Sequence, residues 1–364
     1  MTDLLYSEDE EALRDSVRAL LTTHAPWQRT LSRIEGDEPY DAALWARLAG
    51  LGVTGLAVPE GHGGAGAGFR EVAVVLEELG RAVAPVPYLG VAVATRALLA
   101  GGATDLLGPL AAGRCNPVLA VPFAAGPDLG PRPVAVGPGP ALSGEVAGIA
   151  DALPADVLLV PASDGLYAVD AAGPGVRTTP VVSLDPTRTL ADVTLADAPA
   201  RLVAGGADAR AAVADALTAG AVLLASEQVG VAQWCLDATV EHVGARHQFG
   251  RPVGSFQAVK HRLADVWVEV SEARAVARYA ADCLATADPD TAVAAALAQA
   301  YCGPVAVRAA EAAVQLHGGL GFTWEHPAHL YLKRAKSAAI AFGTADRHRA
   351  CLARLVDLPG PVAS

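Results

Sequence analysis

The chain changes texture twice, and this limits its fold more than any single motif does. Up to about Gly113, apolar residues recur at helical spacing. From about Arg114 to Leu202 they come in short runs, such as VLAVPF, DVLLVPA and VRTTPVVSL, divided by Gly, Pro and Asp. From Val203 to about Asp357 long helical patterns return. Short β-rich runs with turn residues between them predict an antiparallel β domain. Long helices joined by short corners predict an antiparallel bundle. The expected organisation is a helical unit over 1–113, a β unit over 114–202 and a helical bundle over 203–364. The fold class is mainly α with a central β domain.

Local signals sharpen this outline. Ser7 and Glu10 have capping-box spacing, each side chain able to satisfy the other's unpaired backbone N–H. Behind them Leu13, Val17, Leu20 and Leu21 share one helical face. DAALWARLAGLG, FREVAVVLEELGRA and PYLGVAVATRALLAGG predict three further helices, and VPEGHGGAGAG a glycine loop. In the last block the patterns predict helices from near Ala207 to Ala245 and from near Phe256 to Asp288. A third follows Asp290, as N-cap, to His317, and two shorter ones cover Pro327–Ala341 and Thr344–Leu355. No fixed-period repeat is present.

Composition excludes several function classes. A net charge of −12 argues against a general nucleic-acid binder, which needs a basic face. Of the 364 residues, 52% are hydrophobic, ample for a large core. The N-terminus, MTDLLYSEDEEALRD, is acidic and unlike a signal peptide, and no apolar run of membrane-spanning length is evident. A cytoplasmic protein without membrane insertion is expected. Cys115, Cys235, Cys283, Cys302 and Cys351 are scattered and lack metal-ligand spacing, so neither a metal nor a disulfide framework is expected.

Two clusters carry candidate chemistry. In ARHQFGRPVGSFQAVKHRLAD, Arg246, Gln248 and Phe249 crowd a helix–helix corner. They read either as a dipole-favoured Arg with a corner-filling Phe, or as a site in which Arg holds a pyrophosphate, Gln adds a donor and Phe offers a flat face to a base. In QLHGGLGFTWEHPAHLYLKRA, Gly318 or Gly319 reads as a helix-ending glycine, or the cluster lets backbone approach a ligand closely. Thr344 and Asp346 read as an N-cap and a helix-start acid.

Together with LWARLAGLGVTGLAVPEGHGGAGAG and VVLEELGRA, these blocks resemble the acyl-CoA dehydrogenase family of flavoproteins, in family order and over nearly the whole chain. TWEHPAHLYLKRA is close to actinobacterial members, some of which act on bulky steroid-side-chain acyl-CoA esters. The resemblance implies an N-terminal helical domain, a middle β-barrel and a C-terminal four-helix bundle, with FAD between barrel and bundle. It implies an acyl-CoA substrate, α,β-dehydrogenation and an electron-transfer acceptor. It also implies that Arg246, Gln248 and Phe249 touch the pyrophosphate and adenine of a neighbouring subunit's FAD. Gln315, Gly318 and Gly319 match a second cross-subunit segment, and Thr344 matches the threonine beginning the last helix beside the cofactor.

The chain departs from the family on the chemistry-bearing side. Phe342 stands where many members carry the catalytic Glu, and Gly220, followed by Ala221, stands at the alternative base position. Val121-Pro122-Phe123, within VLAVPFAAGPDLG, replaces one flavin-contacting stretch, and Ile149-Ala150-Asp151 replaces another. No catalytic base is therefore assigned. The resulting expectation is the base-deficient subunit of a hetero-oligomer, completing the FAD site of a second acyl-CoA dehydrogenase-like chain. The alternatives are a homodimer or homotetramer with a relocated base, for which Glu227, Asp346 and Glu325 are candidates, or a non-catalytic scaffold.

Overall fold

A computed structural model describes residues 4–36, 38, 40–127, 134–137 and 139–359. Part of the VLAVPFAAGPDLG stretch, from Asp128 onward, lies outside these residues. The chain opens with helix α1 (Glu8–His24), whose first turn is held by the reciprocal Ser7–Glu10 capping box. Helix α2 (Trp27–Ile34) follows Pro26 and is not evident from periodicity, because of its eight residues only Thr30 is buried. Helices α3 (Ala42–Gly50), α4 (Phe69–Ala82), α5 (Tyr88–Gly101) and α6 (Leu107–Ala111) complete this part. Asp41 starts α3 by accepting from Leu44 N at 3.0 Å and also holds Arg29 at 2.8 Å.

The strands are β1 (Pro117–Leu119), β2 (Ala135–Val136), β3 (Ala141–Ala150), β4 (Val157–Pro161), β5 (Gly165–Asp170), β6 (Val176–Val181), β7 (Leu190–Pro199) and β8 (Arg201–Gly205). They form two four-stranded sheets, ordered β1-β4-β5-β8 and β2-β3-β7-β6. Inward residues of both sheets, among them Leu142, Ile149, Leu158, Val160, Val169 and Val193, share one core. The purely antiparallel expectation needs correction. β1 runs parallel to β4, with Val118 opposite Leu158. The parallel pair becomes possible because the chain leaves β1, builds β2 and β3 in the other sheet, and returns.

Helix α7 (Gly206–Ala245) is the axis of the remainder. It is apolar around its circumference, as a helix buried on all sides must be, and packs against α4, α5, α8 (Gln257–Thr286) and α9 (Thr291–His317). Asp290 occupies the N-cap position of α9 but its side chain makes no capping bond. Where α4 crosses α7, Gly80 and Gly230 face opposite backbones. A Cβ on Gly80 would fall 2.1 Å from Glu227 O, and one on Gly230 1.9 Å from Glu77 O. This contact joins the N-terminal helices rigidly to the bundle. A short pair, β9 (His247–Gln248) with β10 (Arg251–Pro252), links α7 to α8, and α10 (Ala328–Ala338) and α11 (Ala345–Leu355) close the chain.

Two segments, Gly206–Ala245 and Thr291–Phe322, are long and apolar enough to cross a membrane by composition, contrary to the expectation from the sequence. Their apolar windows are 72% and 61% buried within the protein, as core helices are.

Candidate functional site

The four departures from the family pattern meet at one place. The ring of Phe342 lies over Gly220 of α7, so close that a Cβ there would sit 2.6 Å from Phe342 Cε1. Phe123 packs edge-on against the same ring at 5.7 Å between centroids, and Phe342 N donates to Phe123 O at 2.8 Å. Phe123 N in turn donates to Gly148 O, at the end of β3 that leads to Asp151. What remains between Leu89, Phe123, Asp151 and Phe342 is a cavity of about 30 Å³. That is room for about two waters and far too little for a three-ring flavin or an acyl chain. Phe342 holds a left-handed backbone (φ 51°), fixed by His348, whose Nε2 lies 2.9 Å from Phe342 O.

Behind this closed site stands a buried ion network. Arg334 of α10 bonds Asp185 at 2.5 Å, Glu227 of α7 at 2.9 Å and the Thr187 carbonyl at 3.0 Å. Arg188 pairs with the other Glu227 oxygen, and its guanidinium lies 5.3 Å from the Phe123 ring centre. All these side chains are buried. Burial opposes charge on Glu227, but Arg188 and Arg334 outweigh it and hold the carboxyl below its ordinary range. Glu227 is thus a structural anion, not a base facing a substrate. Asp346 is exposed and paired with Arg349, and Glu325 is exposed. Among the described residues, Asp151 is the only carboxylate lining the residual cavity. Burial pushes it up to about 6, with Arg188 acting the other way, and it accepts from Gly90 N near the start of α5 at 3.2 Å. Sequence reasoning noted Asp151 only as a lost family residue.

The outer cluster is open. After Arg246 ends α7, residues 247–252 form a hairpin with a two-residue turn. Its central residues, Phe249 and Gly250, have φ of 52° and 77°, the geometry hairpin turns usually give to Asn-Gly. Phe249 is strained there by about 1–2 kcal/mol, yet the residue is 90% exposed and its ring meets that of Phe256 edge-on, with centroids 6.1 Å apart. Arg246 and Gln248 are exposed beside it. At the end of α9, Gln315, Gly318 and Gly319 are exposed too. Gly318 adopts φ 62°, ψ −136°, which essentially only glycine tolerates. A Cβ on Gly318 or Gly319 would touch nothing within 4 Å, so their lack of a side chain serves no packing need of this chain.

A stack of imidazoles underlies both segments. His242, one turn before Arg246, stacks on His317 at 4.3 Å, and His317 contacts His326 at 4.2 Å. Burial first, then His317, His242 and His329, lowers His326 to about 4, so it is neutral at physiological pH. The stack ties the end of α7 to the end of α9 and brings the two outer segments together. Sequence reasoning missed it. Its only signal was the position of His242 and His317 next to the two motifs. Thr344 lies apart from them. It is the exposed N-cap of α11, accepting from Arg347 N at 3.4 Å.

The same architecture is found in known proteins. Models described as "Acyl-CoA dehydrogenase, N-terminal domain" and "Acyl-CoA dehydrogenase, C-terminal domain" match residues 7–106 and 210–356. The chain is 37% identical, over 93% of its length and 95% of that protein, to acyl-CoA dehydrogenase IpdE2 of Mycolicibacterium smegmatis. It belongs to the acyl-CoA dehydrogenase family. Enzymes of this family are FAD-dependent oxidoreductases, and FAD is the cofactor. A structure of a variant of the Tcur3481-Tcur3483 steroid ACAD matches 96% of this chain and 98% of its own, with a TM-score of 0.87 and 33% identity. The ChsE4-ChsE5 complex of Mycobacterium tuberculosis matches 99% of this chain and 100% of its own, with a TM-score of 0.87 and 29% identity.

The two regions of this acyl-CoA dehydrogenase-family chain differ: the Phe342–Phe123 packing reduces the space at the usual base positions to about 30 Å³, whereas the Arg246–Phe249 hairpin and the Gly318–Gly319 backbone are open.

Proposed function

We propose that this chain is the base-deficient subunit of a heteromeric, FAD-dependent acyl-CoA dehydrogenase. The observation that carries the reading is the pairing of a filled inner site with a strained, exposed Phe249 on the outer hairpin. A homomer needs both the inner and the outer half of each site on every chain. A chain with only the outer half suits a partner that supplies the inner one.

In this reading Arg246 gives charge-assisted hydrogen bonds to the pyrophosphate of the partner's FAD. Gln248 and Gln315 add neutral donors, Phe249 stacks on the adenine, and Gly318–Gly319 let backbone N–H groups approach the phosphates. Thr344, at the start of α11 beside the Phe342–Gly343 turn, lies on the filled inner side and adds no contact to this outer set. When bound, FAD supplies the hydride acceptor for α,β-dehydrogenation of an acyl-CoA thioester. Proton removal falls to a carboxylate of the partner, since Phe342 and Gly220 occupy both usual base positions here. The role of this chain is to hold and orient the cofactor and to cover it from water. The likeness to a steroid ACAD supports a bulky, steroid-derived acyl group as the substrate class. An electron-transfer acceptor would reoxidise the cofactor.

The test is to purify the chain alone and with a base-bearing dehydrogenase subunit, and to record visible spectra. The expected result is a colourless lone chain and a yellow complex that an acyl-CoA bleaches. A fully loaded, acyl-CoA-bleachable homomer overturns the proposal. A complex that never acquires flavin overturns it in favour of a scaffold.

A further inference from the structure

The stack of His242, His317 and His326 sits where the two outer segments need a fixed spacing. His242 lies one turn before Arg246, and His317 is the residue before Gly318. Successive ring planes are 27° and 34° apart, nearer to stacked than to edge-on. Faces rather than nitrogens therefore converge, and among the described residues no group of His, Cys, Asp or Glu is placed to hold a metal. The inner end of the stack is backed by Trp234, 6.1 Å from His326 and itself stacked on buried Tyr331 at 3.6 Å.

The hydrogen bonds suit uncharged rings. His317 Nδ1 donates to Ala313 O at 2.7 Å. Ala328 N, at the start of α10, donates to His326 Nδ1 at 3.3 Å, and that nitrogen can accept only while it carries no proton. Nothing around the stack offers an added proton a counter-ion. Burial, then His317 and Arg246, lowers His242 below its ordinary range, and burial, then Lys333, lowers His329, the next imidazole along α10. Glu241 and Glu325 adjoin His242 and His326 in sequence, but both are exposed and bond neither ring. A second proton would therefore set like charges on neighbouring rings.

We propose that His242, His317 and His326 are positioning residues of the FAD site: stacked and uncharged, they fix the spacing between the Arg246 hairpin and the Gly318–Gly319 turn, and their protonation releases it. The FAD role rests on the reading of these two segments as the outer grip on a partner's cofactor. The sign of the pH dependence follows from His326. Its folded value, about 4, lies below the ordinary 6.5, so its contribution is complete above about pH 6.5 and is lost as pH falls through about 4.

Hydrogen exchange read by mass spectrometry on the full chain, with no flavin present, tests the stack. Between about pH 7 and pH 5, protection corrected for intrinsic exchange should fall about tenfold or more in the last turns of α7 and α9 together, and at Val253 N, which donates to Arg246 O at 2.7 Å. The middle of α7, held against α4 at Gly230, should keep its protection. His326→Phe retains a flat ring that takes no proton, and the fall should shrink to about threefold or less. His317→Ala removes the middle ring, and both helix ends should lose protection already at the higher pH. If that variant folds poorly, His326→Phe against wild type carries the test. In the complex, flavin retention should decline over the same range, with the midpoint for His326→Phe lower by about half a pH unit or more. Protection independent of pH, a response at one helix end only, or a His326→Phe fall equal to that of wild type overturns the proposal. If Arg246→Ala depletes flavin while His326→Phe leaves the midpoint in place, the positioning role fails and the outer-grip reading stands. If Arg246→Ala leaves flavin content unchanged, that reading fails and the FAD role with it, and exchange shows separately whether the stack joins the two helix ends.

Discussion

Two phenylalanines of this chain hold the same unfavourable backbone conformation for opposite reasons. Phe342, at φ 51°, is buried, pinned by His348 and pressed onto Gly220. Phe249, at φ 52°, is 90% exposed and nearly without contacts. In the first the strain is offset by packing within the chain. In the second nothing among the described residues offsets it, and in the proposed reading the contact with a bound cofactor does so. The inner region has become core, and the outer region has remained a surface built for something else.

Substitutions can break or sharpen this contrast. The largest effect belongs to the network behind Phe342. Arg334→Ala strands Asp185 in a buried environment and leaves Glu227 with Arg188 alone, and chemical denaturation should show a loss of about 3–5 kcal/mol. A loss under 1 kcal/mol would mean the inner region is not rigid core.

On the outer side, Arg246→Ala should leave stability unchanged but deplete flavin from the complex, by about 1.5–3 kcal/mol of binding for each charge-assisted bond lost. Flavin absorbance per mole of purified complex reports it, and undiminished content refutes the assignment.

Asp151 gives a pH signature of the inner region. Its folded value, about 6, lies above its ordinary 3.8, so the folded state binds the extra proton. The contribution of Asp151 to stability is therefore fully present below about pH 4 and lost as pH rises through about 6. Relative to wild type, Asp151→Asn should gain on the order of 1–3 kcal/mol between those limits. Parallel denaturation curves across that range check it, and a pH-independent difference contradicts it.

The smallest effects come from a matched pair of glycines. Gly220→Ala drives a methyl into Phe342, and overpacking less the helix gain should cost about 1 kcal/mol. Gly319→Ala meets no atom of its own chain, so thermal stability should hold within about 0.5 kcal/mol while flavin content of the complex falls. Equal stability effects at the two positions would erase the distinction between filled and open regions.

The sequence disclosed these regions unequally. Ser7–Glu10, Thr344 and the long bundle helices were legible because capping and helical periodicity are local. The outer segments were legible as motifs, and Arg246, Gln248 and Phe249 are indeed exposed side by side. Sequence revealed that Gly220, Phe342, Phe123 and Asp151 depart from the family pattern, but not that they converge. Convergence depends on contacts more than a hundred residues apart, such as that between Gly220 and Phe342. Separations of 39 to 149 residues likewise hid the union of Asp185 and Arg188 with Glu227 and Arg334. The parallel β1–β4 pair was hidden because a short apolar run carries no sign of its neighbour's direction.

The most direct test of the account is the number of flavins per polypeptide in the assembled oligomer, counted by native mass spectrometry with the partner present. One FAD for every two chains, with none on this chain when purified alone, is the predicted result. One FAD on every chain would contradict it, because the space between Phe123, Phe342 and Gly220 would then have to hold a flavin.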